Sequence, residues 1–336
     1  MFWCTAGAAA EAKRELAFLT WADYLDPSIV PEFEAHCGCK LTQVFYETDD
    51  ARDNMLLEND GAGYDVVIIN GVMLHTYQAR GWLAPLEERS MPNVAQVEPK
   101  WRSAFAAAQV YAVPCFWGTM GIAYRKDLVA APISRWCDLL RPQEALRGKI
   151  AMIDSARDLL TAPLKCLGAS LNGTDSEVLH RVRQLLLEQK PFVGSYSYVA
   201  LTEKSSLVSG DVVAAIMFNG DALMVKEHEP NIEFVLPEEG GQLWVDYLTV
   251  MARSHNKDLA VAFIDFLNRP EIAARNAQFV HYATPNRAAA KLLPAPLLAD
   301  PVIYPDAEAL KHSEYYARVP PRTERTSSEI FTSVVD

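Results

Sequence analysis

The chain has 336 residues, half of them hydrophobic, and a formal net charge of −12. That length supports a sizeable core and a division into two lobes, while the acidic balance argues against nucleic acid and anionic lipid as partners. No apolar run approaches the ~20 residues a membrane-spanning helix needs, and residues 1–15, MFWCTAGAAAEAKRE, have neither the basic region nor the long apolar stretch of a signal peptide. They are expected to be a disordered N-terminal remnant, with any export leader absent from this chain and Cys4 lacking a usable lipidation motif before it.

In chain order, residues 16–21 (LAFLTW) read as a short buried strand. Asp26 is placed to cap a helix with Pro27 at its first position, Ile29, Val30, Phe33 and Cys37 form its apolar face, and Gly38 falls at its C-terminal cap. Residues 41–47 form the next strand, Asp49 or Asp50 caps a helix through about Asn59, and 64–70 (YDVVIIN) is a second buried strand before a short helix to Arg80. This alternation predicts an open, mainly parallel sheet. Residues 110–129 then read as two extended pieces flanking Phe116-Trp117-Gly118, where the chain leaves the first lobe.

A second α/β unit follows. Residues 150–154 are a strand, Asp154 or Ser155 caps a helix through Leu167, and a long amphipathic helix runs from about Ser176 to Glu188. After a helix near 202–209, residues 212–218 (VVAAIMF) are a buried strand, FNGDALMV turns into a helix, and 232–237 completes the sheet. The segment around Trp244 carries the chain back, helices at about 257–268 and 270–279 pack there, and a proline-rich tail wraps on with short helices. Two lobes with two crossings predict a cleft lined by loops at the C-terminal ends of strands. The expected lobes are 16–120 plus 247–292, and 121–246 plus 293–336.

Signatures of catalysis or metal binding are missing from the sequence. The seven histidines include no pair within four residues, so HExxH is absent, and there is no nucleophile elbow, P-loop or dinucleotide-binding glycine motif. Cys4, Cys37, Cys39, Cys115, Cys137 and Cys166 have no zinc spacing; Cys37 and Cys39 are too close in sequence to bridge readily, and the cysteines read mainly as small buried hydrophobes. No catalytic residue, metal or cofactor is expected.

What remains is recognition chemistry. Trp244 and Asp246 stand two residues apart on an extended segment and so face the same way. An indole face attracts an organic ammonium and its methylenes, and a carboxylate accepts its hydrogen bonds; the alternative is a core Trp beside a solvent-facing Asp.

With TWADYLDPSIVPEFE, YDVVIING, VPCFWGTMGIAYRKD, MIDSARD, FNGDA, EEGGQLWVDYL, HYATPN and YPDAEALK in order, the chain resembles the spermidine/putrescine-binding proteins that serve bacterial ABC transporters. The resemblance runs from about Leu16 to the last turn. It implies the type II periplasmic binding fold, two α/β lobes joined by a two-crossing hinge that close on a polyamine boxed by aromatic rings and held by carboxylates. On this likeness Trp21 and Tyr24 are the first aromatic pair, Asp23 an acid beside them, and Asp221 an acid used by putrescine binders. Trp244, Asp246 and Tyr282 match the family's central residues unchanged.

The departures bear on which amine is taken. Ala22 stands for a small hydroxyl residue, Phe218 for a tryptophan, Asn70 for a serine and Val72 for a tyrosine. Ser155 replaces one amine-gripping acid, Asp158 is the shorter form of its partner with Asp154 available to compensate, and Tyr316 stands near the position of a glutamine. Asp221 is equally suited to cap a helix, Asp158 to be a first-turn acid, Trp117 to brace the crossover, and Glu47, Asp49, Asp50 and Asp53 to be a solvated helix start. The resemblance implies a monomer outside the cytoplasmic membrane whose partners are a polyamine and either an ABC permease or a membrane signalling protein of the cyclic-di-GMP type. An enzyme built on this fold is a distant third.

Overall fold

The computed structural model describes residues 13–335, so Cys4 and nearly all of the 1–15 remnant lie outside the described residues. Nine strands are formed among them: β1 (Glu15–Trp21), β2 (Lys40–Tyr46), β3 (Val66–Asn70), β4 (Ala112–Arg125), β5 (Ile150–Met152), β6 (Val193–Tyr196), β7 (Ala214–Phe218), β8 (Ile232–Val235) and β9 (Leu243–Val250). Their order is β2-β1-β3-β9-β4-β7-β5-β6, with β8 also on β4. β1 runs parallel to β2 and β3, and β5 parallel to β6 and β7. β3 is buried along VVII and β7 along AAIM because helices cover both faces, which is why both read as unbroken apolar runs.

The sheet has two halves because β4 changes partners along its length. Ala112–Thr119 pairs antiparallel with β9, and Met120–Tyr124 pairs antiparallel with β7. The expected break around Phe116-Trp117-Gly118 is instead one continuous strand of 14 residues. Its only irregularity is a register shift between Pro114 and Phe116, where proline has no N–H to give the ladder. Trp117 braces this strand: it is buried and stacks on Trp101 at 4.4 Å. β6 went unread because VGSY alternates nothing apolar and is only half-buried.

Each half has its own core. Phe18, Phe33 and Phe263 meet in one, with ring centroids 5.1 and 4.7 Å apart, while Trp136, Ile150, Leu159, Val182 and Leu186 fill the other. The tail carries the short helices Ala295–Leu298 and Ala307–Leu310, as expected, and ends in a longer one, Pro321–Val335, which packs on the helices Ala156–Cys166 and Ser176–Gln189 through Ile330 and Val334.

Several helix starts differ from expectation by a residue or two. Ser28 is the N-cap of Ile29–Cys37, and Asp26 stands before it, accepting from the Ser28 backbone N–H (2.8 Å) and hydroxyl (2.7 Å). Thr48, rather than Asp49 or Asp50, caps Asp49–Glu58, its hydroxyl accepting from the Ala51 N–H at 3.0 Å. Of the two candidates before Ala156–Cys166, Ser155 is the cap and Asp154 is exposed.

The cysteine expectation is corrected outright. Cys37–Cys39 and Cys137–Cys166 are disulfides, and Cys115 is free. Gly38, with φ 64°, turns the chain left-handed at the helix end and brings the Cα atoms of Cys37 and Cys39 to 5.2 Å, within disulfide range.

Candidate binding cleft

The parallel strands deliver their C-terminal ends to the seam between the halves. Trp21 closes β1, Asn70 closes β3 and Phe218 closes β7, while Ser155 follows shortly after β5. β9 lies antiparallel beside β3, so Asp246 is directly opposite Asn70, and Trp244 is opposite Gly118 on β4.

Three carboxylates are gathered here, and each is held by tyrosine. Asp246, 8% exposed, accepts from the Tyr24 hydroxyl at 2.7 Å. Asp221 accepts from Tyr198 at 2.6 Å and Tyr282 at 2.5 Å. Asp158 accepts from Tyr316 at 2.9 Å, and that hydroxyl also meets Thr161 at 2.7 Å. None of the three has a lysine or arginine nitrogen within ion-pair distance among the described residues. Buried carboxylates without a cation are costly to keep ionised. Burial pushes the Asp246 carboxyl up to about 7 against the downward pull of the Tyr24 hydrogen bond, with the Asp49 charge adding to the rise. Burial also raises Asp221 and Asp158, opposed by their hydroxyl donors. Burial holds Tyr24, Tyr198, Tyr282 and Tyr316 well above the ordinary tyrosine range, so all four remain neutral O–H donors.

Asp221 is therefore no helix cap. Phe218 occupies the cap position of Asn219–Lys226, and both Asp221 oxygens go to tyrosines. Ser155 does act as a cap, its hydroxyl accepting from the Asp158 N–H at 3.4 Å.

Aromatic rings connect the acids. Trp244 meets Tyr282 edge-on at 4.7 Å and Phe218 at 6.1 Å, while Tyr24 packs on Phe116 at 5.2 Å and reaches Tyr282 at 6.0 Å. Trp21 lies 4.5 Å from Tyr46. The indole of Trp244 fits because Gly118 faces it: a Cβ there would come within 2.5 Å of Cζ2. Trp244 Nε1 and Asn70 Oδ1 are buried polar atoms with no protein partner among the described residues.

The acidic run 47–53 is not a uniformly solvated helix start. Arg52, fully buried, donates to Asp49 (2.6 Å), to Asp53 (2.8 Å) and to the Tyr77 hydroxyl (2.9 Å), and lies over the Tyr46 and Tyr77 rings. The second Asp49 oxygen accepts from Asn70, the residue opposite Asp246. Asp49, Tyr46 and Tyr198 were missed from sequence; the one available signal was Arg52 four residues before Leu56 on the inward helix face. Asp23 is not gathered with the other acids: it is exposed, at a left-handed φ of 54°, and makes no side-chain hydrogen bond among the described residues.

Two α/β halves sharing a long strand, with an acid- and aromatic-lined cleft at their strand ends, define a periplasmic-type solute-binding protein of the type II fold. Residues 28–305 match the bacterial extracellular solute-binding protein family, and the chain belongs to it. It is 28% identical to the spermidine/putrescine-binding periplasmic protein of Escherichia coli, over 92% of this chain and 88% of that one. It is 30% identical to the norspermidine sensor of Vibrio cholerae, over 90% of this chain and 85% of that one. The solved spermidine/putrescine ABC transporter substrate-binding protein of Streptococcus pneumoniae superposes with a TM-score of 0.84 at 28% identity, covering 96% of this chain and 98% of that one. No described helix is long and apolar enough to cross a membrane.

Proposed function

We propose that this chain is an extracytoplasmic polyamine-binding protein that closes its lobes on a linear amine of the putrescine/spermidine class and delivers it to an ABC permease. The observation that carries this is the trio Asp158, Asp221 and Asp246, each bonded to tyrosine hydroxyls and, among the described residues, in no ion pair with a lysine or arginine. A polyamine places an ammonium every three or four carbons, so it neutralises several such carboxylates at once while its methylenes lie against rings. Each aromatic face adds ~0.5–2 kcal/mol, and micromolar affinity needs only about 8 kcal/mol net. Trp21, Tyr24, Phe218, Trp244 and Tyr282 are the proposed walls, and Asn70, Ser155 and Tyr316 position the acids. Asp23 is retained as a ligand residue only in the closed form.

The mechanism is hinge closure without a chemical step. The moving bodies are 16–120 with 247–292, and 121–246 with 293–336; the change of β4 partners between Thr119 and Met120 supports that boundary. The protein acts as a monomer and binds no nucleic acid.

A second reading, a polyamine sensor that docks on a membrane signalling protein, is favoured by the 30% identity to a norspermidine sensor. Genes for a permease and ATPase beside this one support transport, and a lone membrane sensor gene supports signalling. The test of the shared cleft chemistry is a thermal-shift panel of putrescine, cadaverine, spermidine, norspermidine and spermine, with amino acids and ferric iron as controls. A ligand specific for the native state raises the midpoint. A flat response to every amine removes both readings.

A further inference from the structure

Tyr316 stands between the Asp158 carboxylate and a second hollow. The residue whose hydroxyl holds Asp158 also lines a groove of about 560 Å³, together with Val72, Phe105, Ala107, Tyr111 and Tyr315. That volume lies in the range of about 300–1,000 Å³ typical of small-molecule sites. Its lining differs in kind from that of the cleft. Among the described residues no Asp or Glu lines it, and Arg318 is the one permanently charged lining residue. An ammonium entering the groove would shed water, gain no carboxylate and meet a guanidinium of like charge. An uncharged, largely apolar group suffers none of these costs. Gln78 and Arg318, both exposed at the groove, supply N–H donors for a carbonyl.

We propose that the site takes N-acylated polyamines, with the remaining free ammonium groups shared among the Asp158, Asp221 and Asp246 carboxylates and the acyl chain running past Tyr316 into this groove. Acylation converts the terminal ammonium, which the groove rejects, into a neutral amide, and adds methylenes that the groove buries. The inference rests on the polyamine reading and goes further by naming the form of amine the cleft prefers at one end.

Calorimetry with spermidine and its N-acetyl, N-butanoyl and N-hexanoyl derivatives tests it on the wild-type protein and two variants. In wild type, affinity rises along the acyl series by up to about fourfold per buried methylene. Ala106→Trp fills the groove from an exposed lining position, so it removes that rise and leaves spermidine affinity within about threefold. Val110→Glu, also at an exposed lining position, puts a carboxylate in the groove. It shifts preference from the acylated amine to one with a further free ammonium, such as spermine. Spermidine binding with no gain along the acyl series, or a gain that both variants leave intact, overturns the groove assignment and leaves the polyamine reading standing. Binding of none of these amines overturns both together.

Discussion

At the scale of single residues, Asp246 concentrates the chemistry. Its carboxylate is buried, bonded to one hydroxyl, and raised by burial to about 7. Asp246→Asn keeps the shape and removes the charge, so polyamine affinity should fall more than tenfold in calorimetry while the circular dichroism spectrum is unchanged. The sign of the pH effect follows from linkage. An unfolded aspartate titrates near 3.9, so between about 4 and 7 the folded protein holds a proton that the unfolded chain has released, and stability falls as pH rises. The melting temperature of the Asn variant minus that of wild type should therefore grow from pH 4 to 7 and level off above; a constant difference would argue against a buried acid. A cation also restores the ionised form, so binding near pH 6.5 should release protons, visible as a dependence of apparent enthalpy on buffer ionisation. Tyr198 is a second case. Tyr198→Phe removes one of two hydroxyls on Asp221 and should weaken polyamine binding about three- to tenfold. Unchanged affinity would mean that Asp221 stands outside the site.

Individual elements decide whether those side chains are presented correctly. β4 and β9 pair so that Gly118 faces Trp244, and the absence of a side chain there makes room for the indole. Gly118→Val should displace the ring and weaken long and short polyamines alike, since the ring serves the methylene section they share. Selective loss of one amine in a binding panel would place Trp244 elsewhere. The helix Asp49–Glu58 contributes differently. Arg52 is paid for by Asp49, Asp53 and two tyrosine rings, and this network fixes Asn70 opposite Asp246. Arg52→Met leaves two carboxylates without their cation and should cost about 3–5 kcal/mol in urea unfolding. Arg52→Lys should recover only part of this, because lysine lacks the planar fork that reaches both acids.

For the whole molecule, the relevant variable is the separation of the two halves. In the proposed division Asp158, Asp221 and Asp246 fall in one body and Trp21, Tyr24, Asn70 and Tyr282 in the other, so a bound polyamine is expected to draw the two together. Small-angle scattering should give a radius of gyration of about 20 Å for a chain of this length, decreasing when a polyamine binds. No change on saturation would exclude hinge closure. The helix Pro321–Val335 packs on one half, while Ile303 and Tyr315 upstream pack with Trp117 and Tyr247 of the other. The tail therefore packs on both halves.

Much of this was legible in the chain. The buried runs of β3 and β7 show as unbroken apolar stretches, Gly38 and Pro270 mark helix ends, and Trp244 with Asp246 carries the period-two signature of one strand face. These signals are local, because backbone geometry couples residues two to four positions apart. Tyr198 against Asp221, Asn70 against Asp49, and Tyr316 against Asp158 depend on segments that meet only after folding. Arg52 illustrates the limit most clearly: as a sequence letter in an acidic run it reads as solvated, and only the closing of β2 and the 74–79 helix over it makes it buried. The Cys37–Cys39 disulfide turned on one dihedral at Gly38 that spacing does not reveal. Sequence alone thus determined most of the elements, their order and the aromatic-acid pair on β9, but not β6 or the continuity of β4. Tertiary structure decided which acids are gathered and what holds each of them, because burial and long-range contact set the state of a charge.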